Sequence, residues 1–389
     1  INYAEKLDAK FVYATNGEQI YEFNMKEGKG DYIDSFPTPE EMFNRSFESI
    51  SKEKEDLLSV PFYLTGDKQP RYYQEVAVKK AIESISDGSK RVLLTLATGT
   101  GKTFIAFQLF YKLFQKRWNL DGAERRPKVL FLADRNVLAD QAINTFNDPF
   151  EKDLVKIDGS EIRARNGEVP TNANIFFAIY QAIAEKEHIG GFYKQYPKDF
   201  FDLIIIDECH RGSANEEGSW REILDYFGDA VHLGLTATPK RKDNVDTYEY
   251  FGKPVYEYSL KDGINDGYLS PYKVKKIKTN IDTYIYTDDD KVIKGEVDRK
   301  KVYGKNDFNR SIIIPKQVDF VAQALLDNIN PMDKTIIFCV NQEHALDMRE
   351  AINKHKTVTD PSYCVRVTSD EGKTGRELLE GFQDNAKDI

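Results

Sequence analysis

The stretch that most constrains the fold is Thr98–Thr103, which reads Thr-Gly-Thr-Gly-Lys-Thr. An apolar run at residues 92–96 precedes it, and a segment with apolar residues at helical spacing, Phe104–Trp118, follows it. A strand, a glycine-bearing loop and a helix in this order are typical of a phosphate-binding loop. Gly99 and Gly101 let backbone N–H groups converge on one phosphate, and the start of the helix adds partial positive charge. The stretch therefore predicts a phosphate site in an α/β domain.

Two side chains of the loop add specific chemistry. Lys102 supplies a positive charge for β- and γ-phosphates, and the Thr103 hydroxyl can bind Mg²⁺. The predicted nucleotide-binding residues of the loop are Thr98, Gly99, Thr100, Gly101, Lys102 and Thr103. The general pattern has a glycine where this chain has Leu96. A glycine-rich turn without a ligand is the alternative, and the position of Gly-Lys-Thr between strand and helix favours phosphate binding.

A second signal is the acidic pair Asp207-Glu208, which directly follows the apolar run 203–206. At the carboxyl end of a buried strand, Asp207 can hold Mg²⁺ through its water shell, and Glu208 can orient and polarise an attacking water. We therefore predict Lys102, Asp207 and Glu208 as catalytic residues, and Thr103 and Asp207 as metal-site residues. The alternative is a solvated acidic strand end. The neighbouring Cys209-His210 pair does not predict a metal site, because adjacent residues seldom ligate one ion and no partner pair is visible.

A third signal follows the apolar run 231–235, where the chain continues as Thr236-Ala237-Thr238-Pro239. Hydroxyl groups at a strand end can hydrogen-bond the acidic cluster and transmit its state to the next segment. The predicted coupling residues are His210, Thr236 and Thr238. Taken alone, this segment is equally typical of a turn before a proline.

Arg71 and Gln74 lie shortly before the phosphate loop and are predicted to bind the base. A glutamine amide donates and accepts at once, which suits the edge of adenine, and Tyr72 and Arg71 offer planes for stacking. Alone, this pattern is equally typical of a helix surface. Asp134–Asn136 and Tyr180–Gln181 follow two other apolar runs, and each is interpreted either as an ordinary cap or as a contact to nucleic-acid phosphates.

Apolar runs with little alternation recur between helical segments and indicate parallel strands buried on both faces. They are residues 92–96, 129–133, 175–179, 203–206 and 231–235. An aromatic-rich hairpin with an Asn-Gly turn is predicted within residues 10–23, and a helix is predicted to start at Pro39. A buried strand is predicted at 335–340, between helices at 312–326 and 342–355. Residues 262–310 are either a solvated linker or a nucleic-acid-facing surface.

Composition sets limits on partners and compartment. The chain has 389 residues and a net charge of −9, so a nucleic-acid binder of this balance must use a local basic face. Its three cysteines form no C-x-x-C pair, which argues against structural zinc and disulfides and favours a reducing cytoplasm. No apolar run approaches the ~18 residues of a membrane span, so no membrane partner is expected. The start without methionine suggests a piece of a longer protein.

The motifs in this order resemble those of superfamily 2 helicases and translocases. Within that group the chain resembles the R (restriction) subunit of type I restriction-modification enzymes. The residues that carry the second resemblance are Tyr3-Ala4, 11–17, 131–141 and 335–339. The resemblance implies an α/β fold with a RecA-like parallel-sheet motor domain (61–260), a linker and part of a second RecA-like domain (261–389), and the tail of an N-terminal nuclease-like domain (1–60).

The resemblance also implies a function. The family's R subunit is a motor that uses ATP and Mg²⁺ to pump double-stranded DNA without fully unwinding it, in a complex with specificity and methyltransferase subunits. Its nuclease domain cuts when translocation stalls. The Asp…Glu-x-Lys nuclease core is not found here, and Tyr3 matches only a remnant of its last motif. The later motor motifs, including an arginine that reaches the γ-phosphate, are expected after Ile389. The 389-residue chain alone is therefore expected to hydrolyse ATP poorly or not at all.

Two other functions use the same residues. One is an RNA or DNA-repair helicase of superfamily 2 that separates strands. The other is a nucleotide-gated scaffold that binds DNA or partner subunits without turnover.

Overall fold

The computed structural model describes residues 2–47, 51–64, 69–133, 143, 148–164, 166–184, 191–209, 217–237, 247–277, 283–287, 289–292, 296–304 and 306–384. The chain divides into two compact units, Ile1–Pro271 and Tyr272–Ile389. The finer division at residues 60 and 260 remains a prediction. No helix within the described ranges is long and apolar enough to cross a membrane.

The first unit contains a seven-stranded sheet whose neighbouring strands are all parallel. Its strands are β4 (Arg91–Leu96), β5 (Val129–Ala133), β6 (Leu154–Ile157), β7 (Ile175–Ile179), β8 (Leu203–Asp207), β9 (Val231–Thr236) and β10 (Tyr256–Tyr258). The order across the sheet is β10-β4-β9-β8-β5-β7-β6. The five predicted strands are confirmed. The two edge strands β6 and β10 were not predicted, because each is short and carries a charged residue among its apolar ones.

Both faces of this sheet are covered by apolar side chains. Along β4, Val92 and Leu94 enter one core layer and Leu93 enters the other; along β8, Ile205 and Ile204 divide in the same way. Successive strand residues point to opposite faces, so a strand buried on both sides needs an unbroken apolar run. This explains why the sequence shows runs rather than alternation.

The described helices of this unit precede the sheet, lie between its strands in the chain or follow its last strand. They are Asn2–Lys6, Pro39–Phe47, Lys52–Ser59, Tyr72–Ser86, Lys102–Gln115, Gly159–Ala164, Tyr180–Ile183, Glu217–Tyr226, Thr247–Phe251 and Leu260–Asn265, with 3₁₀ turns at Glu151–Asp153 and Phe192–Gln195. The two longest, Tyr72–Ser86 and Lys102–Gln115, contribute apolar faces to one of the core layers. The predicted start at Pro39 is confirmed.

The N-terminal segment forms a separate antiparallel sheet of β1 (Phe11–Thr15), β2 (Ile20–Asn24) and β3 (Lys29–Ile33). Thr15 pairs with Ile20, so the loop runs from 16 to 19, and Gly17 has a φ of 93°. The predicted hairpin is confirmed. The strand β3 was not predicted, because four of its five residues are exposed and its sequence carries little apolar signal.

The second unit contains the helices Pro315–Leu326, Gln342–His355 and Gly372–Gln383, a 3₁₀ turn at Ser369–Glu371, and an antiparallel pair of β11 (Thr283–Ile285) and β12 (Val302–Gly304). The first of these helices begins at Pro315 rather than at the predicted Ile312, because a residue before proline disfavours the helical conformation and proline suits the first helical position. The predicted helix Gln342–His355 is confirmed.

The prediction of a buried strand at 335–340 is wrong. Within the described part of this unit, no strand pairs with these residues, and Phe338 is 92% exposed. Ile337 and Cys339 pack against the helices, whereas Ile336 and Val340 face outwards. An apolar run becomes a buried strand only where ladder partners and a second layer cover it.

Candidate nucleotide-binding site

The strand order brings the predicted motifs to one edge of the sheet. β9 lies between β4 and β8, and all three strands run in the same direction. The phosphate loop follows β4, Thr236 ends β9, and Asp207 ends β8. Ligands of open α/β sheets bind outside the carboxyl ends of the strands, which is where these three segments meet.

The loop between β4 and its helix has the backbone of a phosphate cradle. Gly99 and Gly101 have φ values of 84° and 82°, in the left-handed region that favours glycine. Gly101 is the N-cap of the helix Lys102–Gln115, so unpaired N–H groups of the first turn face the loop. A Cβ atom on Gly101 would lie 2.7 Å from Nε2 of Gln74. A side chain at this position is therefore disfavoured by the backbone conformation and by the contact with Gln74.

The other loop residues differ in how far their side chains are exposed to solvent. Thr98 and Gly99 are exposed, and Thr103 is half-buried. Thr100 is fully buried, and its hydroxyl donates to the carbonyl of Ala97 over 2.6 Å. Thr100 thus stabilises the loop from beneath through its side chain.

Gln74 packs directly behind this loop. Its Nε2 donates to the carbonyl of Thr100 over 2.8 Å, and its Oε1 accepts from the N–H of Arg71 over 2.9 Å. The hydroxyl of Tyr73 donates to the same Thr100 carbonyl over 3.1 Å. Each atom of the Gln74 amide can form a second hydrogen bond, so contact with an adenine edge remains a prediction. The contact of Tyr73 with the loop was not predicted from the sequence, although its position between Arg71 and Gln74 could have indicated it.

The predicted catalytic residues lie together. Nζ of Lys102 is 3.3 Å from Oε1 of Glu208, and the two side chains are 9% and 14% exposed. Asp207 is buried, and its Oδ1 accepts from the N–H of Glu208 over 3.0 Å. Glu208 has a φ of 51°, which is uncommon for a residue with a side chain and is found preferentially at functional sites. The turn therefore holds a carboxylate against the lysine of the phosphate cradle.

Further side chains support the acidic turn. Tyr180 was interpreted as a cap or a phosphate contact, and its hydroxyl instead lies 3.4 Å from the Asp207 carbonyl as a donor. The N–H of Cys209 donates to the carbonyl of Leu235 over 3.2 Å, which ties the turn to β9. Burial raises the pKa of the Cys209 thiol, and the nearby carboxylates raise it further, so the group stays neutral and packs as an apolar side chain.

Thr236 is fully buried at the end of β9, where its Cα is paired with that of Thr95. It ends the strand next to the one that Asp207 ends, and its coupling role remains a prediction. The other predicted coupling residues, His210 and Thr238, lie outside the described residues. The possible cap or phosphate contact at Asp134–Asn136 also lies outside them, as does the side chain of Gln181.

The donor set fits Mg²⁺ with a nucleotide better than a metal held by protein alone. Over the described ranges, no group of three or more His, Cys, Asp or Glu side chains converges to hold a metal ion. Mg²⁺ is commonly bound through one or two carboxylates together with substrate phosphates. Thr103 and Asp207 at the cradle match that pattern.

Known proteins resemble this chain over the region that contains the candidate site. A family model described as "Type III restriction enzyme, res subunit" matches residues 67–241, which include the phosphate loop and the acidic turn. The EcoAI endonuclease subunit of a type I restriction enzyme from Escherichia coli is 39% identical, over 98% of this chain and 47% of its own length. The corresponding EcoKI subunit from Escherichia coli K12 is 27% identical, over 96% of this chain and 35% of its own length.

One solved structure is similar to this chain in both amino-acid sequence and fold. It is the fragment structure assigned to an HsdR subunit of a type I restriction enzyme from Vibrio vulnificus YJ016, with a TM-score of 0.72 and 38% identity, covering 100% of this chain and 65% of that one. The fold prediction of a RecA-like parallel sheet is confirmed. The chain spans about half the length of its first curated relative. It is a homologue, over nearly its whole length, of the endonuclease subunits of type I restriction enzymes, with a helicase-like domain at its centre.

Proposed function

We propose that this chain is the ATP-dependent motor part of a type I restriction enzyme's endonuclease subunit, which moves double-stranded DNA before an associated nuclease domain cuts it. The observation that carries the proposal is the pairing of Lys102 with Glu208 at 3.3 Å across two strand ends. A lysine beside a glycine cradle and a carboxylate that can activate water are the parts that phosphoryl transfer requires.

The residues fit ATP and Mg²⁺. At Gly101 the cradle has a left-handed backbone and leaves no room for a Cβ unless Gln74 moves, and the helix of 14 residues behind it presents its positive end. Lys102 would bind the β- and γ-phosphates, and Thr103 and Asp207 would hold Mg²⁺. When bound, Mg²⁺ neutralises part of the charge on the phosphate oxygens.

The chain's own residues then have distinct tasks. Lys102 pairs with a carboxylate in this structure, and a triphosphate offers it a stronger anionic partner. Once Lys102 turns to the phosphates, Glu208 is released to orient a water and accept its proton. The turn at Glu208 is fixed by the Asp207 hydrogen bond and by the link from Cys209 to β9, so this reorganisation needs only side-chain rotation.

Changes at this turn can reach β9 directly. Thr236 closes β9 between the phosphate loop and the acidic turn, and we propose that it transmits the nucleotide state to the segment after it, together with His210 and Thr238. We further propose that the protein works with specificity and methyltransferase subunits, because its relatives are named as endonuclease subunits of type I restriction enzymes.

The test uses the full-length subunit reconstituted with its partner subunits and a DNA substrate that carries a third strand. ATP-dependent displacement of the third strand without separation of the duplex is expected, and Lys102→Ala should abolish it. Lys116→Ala is the matched control, because Lys116 lies at the end of the same helix with a side chain 37% exposed.

Three results would contradict the proposal. Third-strand displacement that survives Lys102→Ala would refute the motor. Stimulation of ATP hydrolysis by RNA, or separation of duplex strands, would instead identify a helicase of the same superfamily.

A further inference from the structure

A tight turn at Asp266–Leu269 lies against the phosphate loop and belongs to none of the motifs described above. It follows the helix Leu260–Asn265, and the N–H groups of Tyr268 and Leu269 both donate to the carbonyl of Gly263 over 2.9 Å. A Cβ atom on Gly263 would lie 2.5 Å from Cδ1 of Leu269. The helix end and the turn are therefore packed as one piece.

The turn contacts the phosphate loop through Leu269. A Cβ atom on Gly99 would lie 3.3 Å from Cδ2 of Leu269, so the leucine side chain covers the bare backbone of that glycine. One side of the phosphate cradle is thus bordered by a residue far away in the sequence.

The same turn contacts the predicted base-binding end of the site through Tyr268. The guanidinium carbon of Arg71 lies 4.9 Å from the centre of the Tyr268 ring, within cation–π range. Nη1 of Arg71 also donates to the hydroxyl of Tyr73 over 3.0 Å, and the Tyr73 and Tyr268 rings meet edge to face at 5.4 Å. Arg71 is therefore held by two aromatic side chains, of which Tyr268 is 38% exposed.

Asp266 anchors the turn. Its carboxylate accepts hydrogen bonds from Tyr258 over 2.9 Å, from Lys6 over 2.7 Å and from Tyr72. Burial alone would raise the pKa of Asp266, but these donors lower it below its ordinary value, so the anchor stays ionised at neutral pH. Tyr258 in turn stacks on Tyr73 at 4.1 Å, which joins the anchor to the residue that supports the phosphate loop.

We propose that Tyr268 is a positioning residue for the base of the bound nucleotide. It acts through Arg71 by holding the guanidinium plane in a fixed orientation, so that the plane can stack on an adenine while the phosphates occupy the cradle. This inference rests on the proposed function, because it needs an adenosine nucleotide at the phosphate loop.

The first test compares two ligands by titration calorimetry with the 389-residue protein. Mg·ATP is expected to contact both the phosphate cradle and the base-binding end at Arg71, whereas magnesium tripolyphosphate has no base and is expected to contact only the cradle. Tyr268→Ala should weaken Mg·ATP binding about threefold to tenfold, as expected for one cation–π contact that orders a base clamp, and should leave tripolyphosphate binding unchanged. Tyr268→Phe keeps the ring and should restore ATP affinity. Tyr272→Ala is the matched control, since that tyrosine is close in sequence and 67% exposed.

The second test is a double-mutant cycle. If Tyr268 acts through Arg71, then Tyr268→Ala should have no further effect on ATP affinity in an Arg71→Ala background. Additive losses, an unchanged affinity in Tyr268→Ala, or equal losses for both ligands would overturn the inference. If the wild-type protein does not bind Mg·ATP, or if Lys102→Ala binds it as tightly as wild type, the result would instead count against the proposed nucleotide site itself.

Discussion

The substitution Gly101→Ala tests the geometry of the phosphate cradle most directly. Gly101 has a φ of 82°, and an alanine in the left-handed region costs about 1–2 kcal/mol. The new Cβ would also lie 2.7 Å from Nε2 of Gln74, which is buried and held by two hydrogen bonds. Displacing that amide forfeits about 1 kcal/mol for each hydrogen bond. We therefore expect a total destabilisation of about 3–4 kcal/mol.

Gly252→Ala provides a matched control for the backbone contribution. Gly252 has a φ of 79°, and nothing lies within 4 Å of the position that its Cβ would occupy. Its cost should be the conformational one alone, about 1–2 kcal/mol. The two variants should therefore differ by about 2 kcal/mol in the free energy of unfolding.

Urea unfolding of the first unit measures this difference, because both glycines lie in that unit. The steric contribution depends on Gln74, so in a Gln74→Ala background the two glycine substitutions should cost the same. Equal destabilisation by Gly101→Ala and Gly252→Ala in the wild-type background would refute the reasoning. So would a difference that persists without the glutamine side chain.

Three further predictions concern polar side chains of the first unit. Glu208→Gln keeps the size of the side chain but removes its charge, so the rate of ATP hydrolysis by the full-length subunit should fall by about 10²–10⁴-fold, whereas Mg·ATP should still bind. Phosphate release measures the hydrolysis, and equilibrium titration measures the binding. Turnover close to that of wild type would contradict the prediction. Burial lowers the pKa of Lys112 from 10.5 to about 8, so the unfolded state binds the proton more tightly, and the free energy of unfolding should rise between pH 8 and 10.5. Lys112→Met should lack that rise in urea titrations at a series of pH values, and identical profiles would exclude the assignment. Gln108 is fully buried, and its amide hydrogen-bonds both the N–H and the carbonyl of Tyr63. Gln108→Leu should therefore lower the free energy of unfolding in urea by about 2–4 kcal/mol, whereas Gln115→Leu at the exposed end of the same helix should be nearly neutral. Equal effects of the two substitutions would contradict a stabilising role of the hydrogen bonds to Tyr63.

The sequence by itself determined the local parts of this protein. The runs that become β4, β5, β7, β8 and β9 are apolar throughout because both faces of those strands are buried, and that pattern is visible in one dimension. The phosphate loop was equally readable, because its backbone needs glycine at fixed positions and its charge needs Lys102. Asp207 and Glu208 could be proposed as site residues because two carboxylates end an apolar run.

Only the tertiary structure decided which parts meet. The insertion of β9 between β4 and β8 puts Thr236 beside both motifs, and no local pattern encodes strand order. The turn at Asp266–Leu269 joins the site by packing across more than a hundred residues, and its side chains carry no motif. The run at 335–340 shows the converse, because an apolar pattern indicates what a segment can bury, whereas the partners that it finds decide whether it becomes a strand.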